Sequence, residues 1–302
     1  MSKRLVVKAD DVGYTYPYDL GSFKAMDEGI VTVADVMLDA PHVKEALLWL
    51  KERPWISIGW HNGHLWESPV LPPEEVPSMV GANGKFAWGH RNYKARFEAT
   101  YEDCYKEFCA EVEMCIGIYG SAPDTAGVVN DGSELQKAMK DVCDKYGIRY
   151  NYLKGTPVMN AQPGDLDKKV GNCDSKYDQY NYWYVPNFFT KPGNNYLNLY
   201  DLQYFKDYHP EKEIFEIEWK GDEVYQVFAH PGYLDEYVLQ ESSCNIHRVR
   251  ELQCLISPEL KQWIIENRIE LINQRDLFYG TNEYQNHLKE TGSPLWIGNF
   301  ME

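Results

Sequence analysis

Short apolar runs alternate with amphipathic segments along most of the chain. Residues 5–7 and 31–38 are rich in the apolar and β-branched residues of buried strands, and residues 43–50 carry apolar side chains at helical spacing. This alternation is typical of βα units around a parallel sheet. It predicts an α/β fold, specifically an irregular TIM-like (β/α) barrel of about seven strands. We expect a single domain over residues 1–302, since barrels of this length are common.

The alternation continues into the second half of the chain. A helix is predicted over about residues 92–119, with Phe97 on its inner face, and a strand over residues 214–219. Ser257 followed by Pro258 predicts the start of a late helix, because serine caps helix N-termini and proline favours the first helical position. No repeat or low-complexity tract interrupts the series, so no domain boundary is indicated.

The periodicity is lost between about residues 155 and 197. This stretch is rich in aromatic residues among Gly, Pro and Asn: Tyr177, Tyr180, Tyr182, Trp183, Tyr184, Phe188 and Phe189. Long loops are usually lids or binding loops, and aromatic faces stack on sugar rings. We therefore expect an aromatic-rich insertion that binds a sugar. The alternatives are that it packs over the barrel or makes a contact between two copies in a homodimer.

Composition and charge restrict the classes of partner. With 44% hydrophobic and 25% charged residues, the chain falls in the range of ordinary globular proteins. Its net charge of −16 argues against nucleic acid or anionic membrane as a partner, although solubility alone also explains it. The apolar run at residues 5–7 is too short for the core of a signal peptide. We expect a cytoplasmic protein with its seven cysteines reduced.

Polar residues gather where predicted strands end. Asp10 and Asp11 follow the first strand, His61 and His64 follow the third, and His230 follows a late strand. The carboxyl ends of parallel strands meet at one edge, where active sites of α/β proteins form. Neighbouring strand residues point in opposite directions, so one aspartate can bind a metal while the other approaches a water. The histidines are candidates for metal ligation and general acid catalysis.

Each of these signals also has a purely structural explanation. Adjacent aspartates are commonly a solvated strand end, and a pair of histidines more often packs or forms hydrogen bonds than binds metal. A histidine such as His230, before Pro231 and Gly232, can be buried and bonded to its neighbours. No GxSxG, P-loop or GxGxxG motif points to another enzyme class. The aspartate pair together with the histidines favours a metal site.

These residues stand in motifs that resemble a known family. The segment from Lys8 to Gly13, KADDVG, resembles the NADDFG signature of the ChbG/HpnK, YdjC-like carbohydrate deacetylases. The segment GWH ending at His61 and the segment HPGY beginning at His230 resemble two further motifs of that family. Arg248 opens an RxxEL pattern that the family shares. The motifs occur in the same order over nearly the whole chain.

The resemblance implies a TIM-like barrel that removes an N-acetyl group from an amino sugar or oligosaccharide with the help of a divalent metal. It implies that Asp10 is the base that activates water, that Asp11 and His61 are metal ligands, and that His230 is the acid that assists the leaving amine. Four further residues are expected to bind substrate or to support the metal ligands: Trp60, Asp131, Tyr233 and Arg248.

One position departs from the family pattern. Where the resemblance implies a third metal-binding histidine, this chain has Val129. Catalytic zinc sites generally use three protein ligands, so another group must complete the site. His64 is the preferred substitute because a tight turn can aim it inward with His61, and Asp131 is the second choice because it lies on the same strand face as Val129. The metal is expected to be zinc, or magnesium if oxygen ligands dominate.

The leading hypothesis is therefore a metal-dependent carbohydrate deacetylase that acts on a small carbohydrate substrate. A first alternative is a catalytically silent sugar-binding or regulatory protein that kept the barrel and lost the metal. A second is another metal-dependent sugar hydrolase or isomerase on the same scaffold, because a fold does not determine a reaction.

Overall fold

The computed structural model describes residues 3–61, 68–87, 95, 97–127, 132–150, 182–184, 209–215, 217, 219, 224–242 and 244–300. The chain divides into two compact units. The first comprises Met1–Ala34, Pro54–Ser57 and Ser175–Glu302, and the second comprises Asp35–Arg53 and Ile58–Asp174. Strands β2 (Val33–Val36) and β3 (Ser57–Trp60) each begin in the first unit and end in the second.

The first unit is built around strand β1 (Lys3–Val12). On one edge β1 pairs in parallel with β7 (Val224–Ala229), which pairs in turn with β6 (Tyr182–Tyr184). Its first residues pair with β8 (Ile269–Leu271), also in parallel. The core side chains of β1 and β7 include Leu5, Val6, Val7, Val224 and Val227, all almost completely buried. Strands buried on both faces require such continuous apolar runs.

Eight described helices belong to the first unit. They are α1 (Tyr16–Asp27), α5 (Pro210–Phe215), α6 (Glu236–Glu241), α7 (His247–Leu255), α8 (Pro258–Glu266), α9 (Gln274–Tyr279) and α10 (Glu283–Glu290), with a 3-10 turn at Ile297–Asn299 as the eighth. The predicted start of α8 is confirmed, because the Ser257 hydroxyl accepts a hydrogen bond from the Leu260 N–H at 3.1 Å.

The second unit contains the ends of β2 and β3, followed by β4 (Thr125–Ala126) and β5 (Arg149–Tyr150). β3, β4 and β5 pair in parallel. The helices are α2 (Val43–Lys51), α3 (Tyr101–Tyr119) and α4 (Glu134–Tyr146), with a 3-10 turn at Pro73–Glu75. Parallel strands joined through helices establish the α/β class that the sequence predicts, whereas closure into a barrel stays a prediction.

Two predicted elements are wrong, one in where it begins and one in its type. The helix expected from residue 92 begins at Tyr101, because Thr100 caps it by accepting from the Asp103 N–H at 3.3 Å. Phe97 precedes this cap and is exposed instead of lying on an inner helix face. The strand expected at residues 214–219 is helical at its first two residues, which end α5. A short apolar run does not distinguish strand from helix by periodicity alone.

Two other expectations concern the chain as a whole. The aromatic insertion at about residues 155–197 lies outside the described residues, except for the backbone of β6. The organisation of the chain as a single domain stays a prediction. The six cysteines among the described residues form no disulfide in the structure: Cys104, Cys109, Cys115, Cys143, Cys244 and Cys254. Within the described part of the chain, no helix combines the length and apolar character needed to cross a membrane.

Candidate metal and catalytic site

The end of β1 carries two buried aspartates with different surroundings. Asp10 lies on the same strand face as Lys8, whose Nζ is 3.7 Å from the Asp10 Oδ1. Asp11 adopts a left-handed backbone conformation, with φ of 62°. This conformation is uncommon for residues other than glycine and often marks functional sites. It takes Asp11 out of regular strand geometry.

Asp11 is held by a buried arginine on α7. Nη2 of Arg248 donates to the Asp11 Oδ2 at 2.7 Å and to the Ser242 Oγ at 3.2 Å. The guanidinium carbon lies 4.6 Å from the centre of the Tyr18 ring. Because Arg248 is fully buried and Asp11 is nearly so, each charge depends on the other for compensation. The predicted role of Arg248 in supporting the site stays a prediction.

His230 follows β7 directly and stands beside the aspartates. The register of β1 and β7 pairs Ala9 with Ala229, which puts Asp10 and His230 just beyond the last pair. The His230 Nε2 lies 3.9 Å from the Asp11 Oδ2, and its Nδ1 lies 3.7 Å from the Glu251 Oε2. The backbone N–H of His230 also donates to Glu251. One buried carboxylate therefore contacts both the main chain and the ring of His230.

The turn after His230 packs closely against α1. The Ser22 hydroxyl donates to the Pro231 carbonyl oxygen at 2.7 Å. A Cβ atom on Gly232 would lie 2.0 Å from the Tyr18 ring, so only glycine fits between the turn and this aromatic side chain. Tyr233, which was predicted to bind substrate, is exposed and therefore accessible to a ligand.

His61 follows β3 and forms a close pair with Asp35 on β2. The His61 Nδ1 lies 2.9 Å from the Asp35 Oδ2, and the backbone N–H of His61 donates to the Val36 carbonyl at 2.9 Å. Sequence reasoning missed Asp35 because it lies inside a strand and not at its end. The available signal was a carboxylate within the apolar run VADV, since a buried charge needs a partner.

Asp35 and His61, both in the second unit, place a carboxylate beside an imidazole. Carboxylate oxygens and imidazole nitrogens are both ligand types of divalent metals, so this pair fits the surroundings of a divalent cation. Of the predicted metal ligands, His61 belongs to this pair, whereas Asp11 is held by Arg248.

The remaining predicted residues fall into two groups. His64, Val129 and Asp131 lie outside the described residues, so the question of a substitute ligand stays open to experiment. Trp60 is completely buried, and its Nε1 donates to the Glu111 Oε2 at 2.9 Å. A side chain without exposed surface cannot stack on a sugar, which leaves support of the neighbouring site as its predicted role.

Helix α3 carries two buried glutamates, Glu107 and Glu111, and Glu111 contacts Trp60. Burial raises the pKa of the Glu111 carboxyl well above its usual value, and the nearby charges of Asp39 and Glu107 raise it further. The Glu107 carboxylate accepts hydrogen bonds from the backbone N–H groups of Val70 and Leu71 at 2.5 and 3.0 Å. These acids contact the backbone and the core, so we assign them to the scaffold.

Carboxylates and histidines at the carboxyl ends of parallel strands define an α/β protein with a candidate metal site. The chain belongs to the YdjC-like protein family, whose pattern matches residues 4–266. The family inferred from the motifs is therefore confirmed.

This chain is similar to proteins named as carbohydrate deacetylases. The carbohydrate deacetylase of Brevibacillus brevis is 27% identical over 279 residues, covering 91% of this chain and 99% of that protein. The chitooligosaccharide deacetylase of Proteus mirabilis is 22% identical over 283 residues, covering 92% of this chain and 100% of its own. A crystal structure of a proposed cellobiose-phosphate cleavage protein of Enterococcus faecalis V583 superposes with a TM-score of 0.65 at 23% identity, covering 92% of this chain and 100% of that one. This last likeness establishes the fold.

Proposed function

We propose that this protein is a metal-dependent hydrolase that removes an N-acetyl group from an amino sugar or oligosaccharide. Membership of the YdjC-like family and the carbohydrate deacetylases among its relatives support the reaction class. The observation that carries the proposal is the group of Asp10, Asp11 and His230 at the ends of the paired strands β1 and β7. A divalent cation supplies Lewis-acid chemistry, lowering the pKa of a water and stabilising the oxyanion of the attacked acetamide.

Asp10 is the proposed acceptor of the proton from the attacking water. Its carboxylate is buried at a strand end, and the Lys8 ammonium, 3.7 Å away, partly compensates its charge. A general base must lie within hydrogen-bond reach of the water that it deprotonates. The position of Asp10 at the end of β1, next to Asp11 and beside His230 after β7, supports this role.

His230 is the proposed donor of a proton to the leaving amine. The contacts of Glu251 with its backbone N–H and with its Nδ1 hold the imidazole at the end of β7. The Nε2 atom is on the Asp11 side of the ring, 3.9 Å from that carboxylate. We propose that Asp11 supports the metal site and that Arg248 holds Asp11 in place.

Measurement of metal content and acetate release tests the proposal directly. Protein purified without chelator should contain a divalent metal and should release acetate from N-acetylated chitooligosaccharides. Asp10→Asn should keep the metal while kcat/KM falls by about 10²–10⁴-fold, the usual contribution of a positioned general base. Asp144→Asn, the same change at an exposed position on α4, should match the wild type.

Three results would contradict parts of this proposal. An unchanged rate in Asp10→Asn would remove Asp10 from the chemistry. Loss of the metal in that variant would make Asp10 a ligand instead of the proton acceptor. A wild-type protein that binds no metal and releases no acetate, but still binds chitooligosaccharides, would support the alternative of a silent sugar-binding protein.

A further inference from the structure

We propose that Asp35 is a positioning residue that orients His61 to bind a divalent cation through Nε2. This inference rests on the proposed metal-dependent function. Its basis is the 2.9 Å contact between the Asp35 Oδ2 and the His61 Nδ1. Asp35 is 1% exposed, so water does not compete for its carboxylate.

The contact determines which nitrogen of His61 can bind metal. A carboxylate at 2.9 Å favours the tautomer in which Nδ1 carries the hydrogen and donates it to Asp35. Nε2 is then the nitrogen with a lone pair for a cation. Histidines that bind metals commonly donate their other ring N–H to a carboxylate, which fixes the ring and raises the basicity of the ligand.

Gly59 creates the space that this arrangement needs. A Cβ atom at residue 59 would lie 1.9 Å from the Asp35 Oδ1, so the carboxylate occupies the volume that any other side chain would fill. Residues 59 and 61 are two apart at the end of β3 and so point to the same face. The absence of a side chain at Gly59 therefore leaves room for the Asp35 carboxylate next to His61.

The sequence gives this pair additional weight. Val129 stands where the family resemblance implies a third metal-binding histidine. With one imidazole fewer, binding depends more strongly on the orientation of His61. Asp35 also costs folding free energy, because it buries a carboxylate in a strand whose other residues are apolar. A role at His61 accounts for this carboxylate, whereas core packing does not.

Variants of Asp35 test the inference by metal affinity. We expect Asp35→Ala to weaken Zn²⁺ binding by about 10–100-fold, the usual effect of losing a group that holds a metal-binding histidine. Asp35→Asn should keep most of the affinity, because its amide oxygen still accepts from Nδ1–H. Affinity is measured by competition with a chromophoric chelator, and the visible absorption of Co²⁺ in the same proteins reports the ligand geometry. Asp144→Ala is the matched control.

A second variant displaces Asp35 without removing it. In Gly59→Ala the new Cβ must push the carboxylate away, so Zn²⁺ affinity should fall while the thermal midpoint shows that the protein folds. Combining Gly59→Ala with Asp35→Ala should cause little further loss, because both changes break the same contact. Gly117→Ala is the control, since a Cβ there meets no atom within 4 Å.

The outcomes separate this inference from the proposed function. If the wild type binds neither Zn²⁺ nor Co²⁺, the metal-dependent function itself fails. If the wild type binds and Asp35→Ala binds equally well, only the role of Asp35 is refuted. If Asp35→Asn loses as much affinity as Asp35→Ala and changes the Co²⁺ spectrum, Asp35 is a direct ligand and the positioning role is wrong.

Discussion

Replacement of Arg248 by methionine tests the buried ion pair at the candidate site. Arg248 is 0% exposed, and its Nη2 donates to the Asp11 Oδ2 at 2.7 Å. Methionine has a similar length and fills much of the same volume, so the main change is loss of the charge. Asp11 then loses a buried cation that donates to it at 2.7 Å, and we expect the free energy of unfolding to fall by about 3–5 kcal/mol.

Equilibrium denaturation in urea at pH 7, followed by far-ultraviolet circular dichroism, measures this loss. Asp11→Asn leaves the arginine uncompensated and should cost a similar amount, since asparagine tolerates the left-handed φ of 62°. The double variant removes both charges and should cost less than the sum of the two single variants. Lys24→Met, at an exposed ion pair with Glu28, should change the free energy of unfolding far less, because solvent screens that pair. A loss below about 1 kcal/mol in Arg248→Met, or simple additivity, would refute the reasoning.

Two further predictions concern the scaffold. Because burial raises the pKa of Glu111, the folded carboxyl keeps a proton that the unfolded chain has lost, so stability falls as pH rises above the unfolded pKa. Glutamine has no proton to lose, so the free energy of unfolding of Glu111→Gln, relative to that of the wild type, should rise from pH 5 to pH 8 in denaturation experiments. The same difference between the two proteins at both pH values would contradict this. Gly232→Ala should lower the thermal midpoint, since its Cβ would lie 2.0 Å from the Tyr18 ring; an unchanged midpoint would show that the turn can move.

Features determined by local periodicity and capping could be predicted from the sequence. Asp10, His61 and His230 were identified as candidates because the end of an apolar run marks the end of a buried strand. The start of α8 after Ser257 was predictable for the same reason, since a cap depends on neighbours three residues away. The start of α3 at Tyr101 was not predicted, although Thr100 carries the same kind of local signal.

The sequence by itself determined the α/β class, the family and the strand-end residues, all of which depend on short-range patterns and motifs. Only the tertiary structure decided how the charges pair. Arg248 and Asp11 are 237 residues apart, and the contact of Asp35 with His61 depends on the packing of two strands with glycine at residue 59. A pattern along one strand carries no information on which buried charges meet across strands. That pairing follows from three-dimensional packing, because a buried charge must find its partner wherever the fold brings one within reach.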